Sequence, residues 1–229
     1  MTGPDQSGGD NPPMSRTIRV LLESTPKKVF VSALDWPGLS RGGRDEDAAV
    51  EALLAAAGRY ARVARAAGER FDPHDLDLVV ADRVHGDAST AFGVPAIIVA
   101  ADREPVDAHE ATRLAALVEA AWAELDAVVA AAPEELRKGP RGGGRDRTKM
   151  IEHVNGADGA YASVMGLRHR PDSPVAVAAM RAEMLRTLRQ PSDGSPVAGK
   201  KWPPRYAARR IAWHALDHAW EIEDRTDPA

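Results

Sequence analysis

The chain has 229 residues, no cysteine, and a formal net charge of −4 from 30 Lys and Arg against 34 Asp and Glu. That length gives one or two domains with a real core. The missing cysteine excludes disulfides, Cys-ligated zinc, iron–sulfur clusters and a cysteine nucleophile, and the acidic balance argues against a dedicated nucleic-acid binder, which carries a basic footprint.

Hydrophobic residues make up 44% of the chain but aromatics only 5%, because much of the apolar content is alanine. Alanine favours helix. No run of about 18 apolar residues occurs, and the N-terminus lacks an apolar export segment. The chain therefore reads as soluble and cytoplasmic. Met1–Pro13 is rich in Gly, Pro, Asp and Ser, so residues 1–16 read as a disordered N-terminus, with Met14 as a second candidate start.

From Thr17 the pattern changes. Ile18, Val20 and Leu22 alternate as in a strand, and Val29 to Leu34 is a second strand-like run. Pro26-Lys27-Lys28 between them is a turn signal, so the pair predicts a hairpin. Asp35-Trp36-Pro37-Gly38 ends the second strand, and Gly42 and Gly43 read as a loop. Asp45 is a predicted N-cap for a helix running to about Gly68, with Ala49, Leu53, Ala56 and Ala57 on one stripe. Leu76 to Val84 is strand-like, and Val94 to Ala101 is a further apolar run with strand character. Residues 17–104 thus predict a small α+β unit of β-β-α-β order.

After Pro105 the period is helical. Leu114, Leu117, Val118, Ala121, Leu125 and Val128 place one amphipathic helix over 107–132. A basic, glycine-rich loop follows, and its Gly139–Arg145 stretch precedes a helix N-terminus where an anion could be clamped. Asp146 is the predicted cap of a second helix over 146–167. A third covers 174–190 from Pro174, and a fourth runs from Pro204 to about Asp224. Four such helices over 105–229 describe a four-helix bundle. The fold class is α+β, in two domains.

Seven histidines are present, and three stand out. His214 and His218 are four apart, on one face and consecutive turns of the fourth helix. Ile211, Ala215 and Ile222 point that face inward. Two such imidazoles can share one divalent ion. His153, beside Met150 and Ala157 on the second helix, is the candidate third ligand. Three imidazoles plus water make an open metal site. The plainer reading is three hydrogen-bonded core histidines. No Glu follows His214, so a His-Glu-x-x-His protease is disfavoured. Asp217 should point away from this face.

The stretch Arg209–Glu221 resembles the last core helix of the DinB/YfiT-like four-helix bundle superfamily, and Asp146–Val154 resembles its second-helix segment. The resemblance implies that His153, His214 and His218 ligate a divalent metal, commonly zinc or nickel. It also implies thiol-dependent (mycothiol-type) transfer or isomerisation, with a low-molecular-weight thiol as cosubstrate acting on a small-molecule substrate. By analogy such a bundle pairs into a homodimer. Val29–Gly38, followed by Gly42 and Asp45-Glu46-Asp47, resembles the HicB-like fold. This implies the alternative function, an interaction or regulatory protein with the bundle as non-catalytic scaffold. The plainer reading of this unit is packing or oligomerisation. Arg205, Arg209 and Arg210 read as a solvated basic face, and Trp213 and Trp220 as packing.

Overall fold

A computed structural model describes residues 17–139 and 144–226. The stretch read as a disordered N-terminus and residues 140–143 of the basic loop lie outside the described residues. The protein is α+β: a four-stranded mixed sheet comes first, and helices follow.

Strands β1 (Thr17–Thr25) and β2 (Lys28–Ala33) form the expected antiparallel hairpin, closing at the Thr25–Lys28 pair. The Thr25 hydroxyl accepts the Lys28 amide at 3.1 Å across the turn. Strand β3 (Ser40–Gly43) pairs antiparallel with β2, and β4 (Asp77–His85) pairs parallel with β1, giving the order β3-β2-β1-β4. Helix α1 (Glu46–Ala66) lies between β3 and β4 in the chain. The Asp45 carboxylate caps it, accepting the Ala48 amide at 2.9 Å.

Two expectations for this unit need correction. The segment read as a glycine loop is the strand β3. Gly43 is a steric necessity, since a Cβ there would sit 2.3 Å from the Ala49 nitrogen, and one on Gly42 would crowd the Phe30 ring at 3.0 Å. The second correction concerns Val94–Ala101, which is not a strand. Residues 94–99 are irregular, and a 3-10 turn covers Ala100–Arg103 after the short helix α2 (Ala88–Phe92). The backbone groups a strand would pair are taken by side chains. Buried Glu23 accepts the Ala96 amide at 3.0 Å and the Ile97 amide at 3.2 Å. The Tyr206 hydroxyl donates to the Ala96 carbonyl at 2.9 Å.

The later helices fall close to expectation: α3 (Ala108–Ala131), α4 (Arg147–Val164), α5 (Pro174–Leu188) and α6 (Pro204–Arg225). Asp146 stands at the α4 cap position without capping it. Its carboxylate is turned to the Leu136 amide at 3.4 Å and the Lys138 ammonium at 3.5 Å. Glu134 takes over instead, accepting the Thr148 amide at 3.2 Å and its hydroxyl at 2.8 Å. No helix among the described residues is long and apolar enough to cross a membrane.

One apolar core runs from Val20 and Val31 of the sheet, through Leu53 and Tyr60 of α1, to Met150, Met184 and Ile211 of the later helices. The Asp35–Gly38 turn is where sheet and helices meet. Gly38 has φ +97°, and a Cβ there would lie 2.7 Å from Leu216 and 3.2 Å from Ala212 of α6. The Tyr60 hydroxyl donates to the Pro37 carbonyl at 2.9 Å, and the Arg113 guanidinium lies over Trp36.

The basic cluster at the start of α6 is not a solvated face. The 3-10 turn covers it, and the Arg209 guanidinium is buried against Asp102 in two hydrogen bonds of 2.9 and 2.8 Å. Arg205 pairs with Glu110 at 2.7 Å, and Arg210 lies over the Trp213 and Tyr161 rings. Removing one partner of a buried ion pair strands the other charge. Asp102→Ala is therefore expected to cost about 3–5 kcal/mol in urea unfolding. Glu46→Ala, which breaks an exposed pair with Arg83, is expected to cost less than about 1 kcal/mol. Equal losses would contradict the assignment of Arg209–Asp102 as a desolvated fastening.

Candidate metal centre

Helix α6 carries His214 and His218 on consecutive turns, and α4 packs alongside and presents His153. The structure brings the three sequence-selected histidines together. Ring centroids are 4.7 Å apart for His214 and His218, 5.0 Å for His153 and His218, and 5.2 Å for His153 and His214. One nitrogen from each ring lies within 4.8 Å of the others. His214 and His218 are buried and His153 is half-buried. Among the described residues this is the only group of three or more His, Asp or Glu side chains close enough to hold an ion together. The remaining histidines stay outside it; His169, for instance, contacts Glu183.

The donor set fits a divalent ion that prefers nitrogen. Two ligand nitrogens on a tetrahedral centre with metal–nitrogen bonds of about 2.0–2.1 Å are separated by about 3.3–3.4 Å. The His153 and His214 Nε2 atoms are 3.3 Å apart. His214 Nδ1 has no hydrogen-bond partner, so that ring is held by packing. Tyr161 lies edge-on to it at 5.7 Å.

Burial sets the protonation states. It pushes the His214 imidazole down to about 2, helped by the neighbouring His218 and by the Arg210 guanidinium. The His153 imidazole is also lowered, by burial first and then by Arg145. Both rings are held in the neutral, lone-pair form a metal requires.

Glu221 was not picked out in the sequence. Its Oε2 lies 3.1 Å from His218 Nδ1, and its Oε1 accepts from Arg225 Nη1 at 2.9 Å. The Arg225 Nε donates in turn to the Arg137 carbonyl at 2.7 Å. His218 foremost, then Arg225, holds the Glu221 carboxyl below the usual range. A carboxylate on Nδ1 fixes the His218 tautomer and leaves the Nε2 lone pair free. The sequence signal was the His-x-x-Glu spacing, one helical turn. Asp217 points elsewhere, as expected, and pairs with Arg41 at 3.1 Å. Trp213 meets the Phe30 ring edge-on, and Trp220 lies beneath the Arg41 guanidinium.

The depressed His214 value has a definite sign for stability. An unfolded histidine takes its proton near 6.5, whereas folded His214 takes it only near 2. Between these values the unfolded chain binds the extra proton. Stability is then full above 6.5 and falls as the pH drops below it. Metal-free protein should show a larger fall in its urea midpoint between about pH 7.5 and about pH 5 than His214→Phe does. Equal falls would contradict a neutral, buried His214.

No family model, no curated protein and no solved structure matches the chain.

Proposed function

We propose that this chain is a divalent-metal protein of the DinB/YfiT-like type, using His153, His214 and His218 as its ligands. The observation that carries the reading is the convergence of three histidines from two helices, with two nitrogens at 3.3 Å. A zinc or nickel ion held there would act as a Lewis acid on a water or thiol at its open position. The reaction we propose is thiol-dependent transfer or isomerisation. The chain has no cysteine, so the thiol comes from a cosubstrate.

The chain's own residues prepare the site. His153 and His214 stay neutral through burial. Glu221 orients His218. Arg145 and Arg210 put positive charge near the imidazoles, a field that favours an anionic thiolate over a neutral thiol.

A second reading rests on β4. This nine-residue strand is an edge of the sheet, with Val79 45% and Val80 40% exposed. A free edge of that length can accept a partner strand, which fits an interaction module of HicB-like type. In that case Val80→Lys would abolish complex formation with the partner, and His214→Ala would not.

Elemental analysis separates the readings. Protein purified without chelator should carry about one divalent ion per chain, and His214→Ala should lose it. Wild-type protein without metal, or a variant that keeps it, would overturn the metal reading. Glu221→Gln should leave the fold intact and weaken metal affinity about 10–100-fold in competition with a chelating dye. An unchanged affinity would show that Glu221 does not support His218.

A further inference from the structure

The chain leaving α4 meets the short 3-10 turn Val197–Gly199. Gly166 has φ +85°, and a Cβ there would lie 2.8 Å from the Ala198 Cβ and 3.8 Å from the Lys200 Cγ. Ala198 has φ +50°, the only non-glycine in the left-handed region among the described residues. The stem of Lys200 therefore lies against the end of α4, with its exposed ammonium beside residues 167–170.

Those residues are pinned at every second position. Leu167 packs on the apolar core, His169 contacts Glu183 of α5, and Pro171 sits where a Cβ on Gly159 would touch it at 3.1 Å. Arg168 and Arg170 alternate with these anchors and are exposed. A cavity of about 350 Å³ opens between them, lined by Ser163, Leu167, Arg168, His169 and Arg170.

No carboxylate lines this hollow. Glu183 is already held by His169 and by Arg186, the latter at 3.2 Å. Asp172 lines a different cavity, between α3, α4 and α5. Most other arginines pair with carboxylates, as Arg62 does with Glu124 and Arg181 with Asp126. Among the described residues, Arg168, Arg170 and Lys200 have no hydrogen-bond or ion-pair partner. Their donors are free and open to solvent. Guanidinium groups carried on anchored backbone match phosphate oxygens, with lysine as a flanking point charge. Three positive charges without a counter-charge favour an anion carrying two or more negative charges over a single carboxylate.

We propose that this hollow binds a phosphorylated small molecule by its phosphate or diphosphate group, with Arg168 and Arg170 as the forked donors and Lys200 as the flanking charge. None of His153, His214 and His218 lines it, so the site is separate from the histidine cluster.

The test is calorimetric titration of the full chain, dialysed free of metal, at constant ionic strength. The probes are inorganic pyrophosphate, ADP and succinate. The expected result is saturable binding of about one pyrophosphate or ADP per chain, at least threefold tighter than succinate. Tighter binding of ADP than of pyrophosphate would assign the ligand as a nucleotide, and equal binding would assign it as the diphosphate group alone. The double variant Arg168→Gln/Arg170→Gln, changed only at exposed side chains, should weaken binding about tenfold, and Lys200→Ala about threefold. Arg65→Gln, at an exposed arginine on α1, should leave it unchanged. The proposal is overturned if neither phosphate probe saturates, if succinate binds as tightly, or if the double variant binds as wild type does. An equal loss in Arg65→Gln would overturn it too, by reducing the effect to overall charge. So would binding of a single-stranded oligonucleotide with no response to pyrophosphate or ADP.

Discussion

Helix α6 is buried on every side: 16 of its 22 residues are buried, including Arg209, His214, His218 and Arg225. A polar group taken out of water must find a partner or cost free energy. That requirement organises what surrounds the helix. Arg209 finds Asp102 on the turn before α3. Arg225 finds Glu221 and the Arg137 carbonyl after α3. His214 faces His153 on α4, Nε2 to Nε2. Each contact recruits a different segment of chain to α6, so one helix's desolvation ties distant sequence together.

The sheet belongs to the same enclosure. Its turn at Gly38 lies against Ala212 and Leu216, Phe30 meets Trp213, and Arg41 covers Trp220. The side of α6 that the bundle helices leave open is thereby closed by the α+β unit. Dryness is what depresses the His214 imidazole.

The parts legible in the sequence were those with a local physical cause. Helical period and capping residues placed α1 and α3 to α6 to within a few residues, and alternation placed the first hairpin. His214 and His218 were readable because a spacing of four on an apolar stripe puts both rings inside. What was not legible depended on tertiary partners. Strand β3 is Ser-Arg-Gly-Gly, a composition that signals a loop; pairing with β2 and the tight approach of α1 make it a strand. The run at 94–101 has strand propensity, but Glu23 and Tyr206 capture its backbone. Nothing local marks Arg209 as buried, since its partner Asp102 is 107 residues away. Glu221 had a local signal, yet a Glu one turn from a histidine is also common on solvated helix faces.

The central claim is that the three histidines bind one ion together. X-ray absorption at the zinc edge, on the full chain loaded with one equivalent of zinc, tests it most directly. The account predicts a first shell with three imidazole nitrogens at about 2.0–2.1 Å, with the multiple-scattering pattern of coordinated rings. A shell of carboxylate and water oxygens with one imidazole or none would contradict it and leave His153, His214 and His218 as core residues.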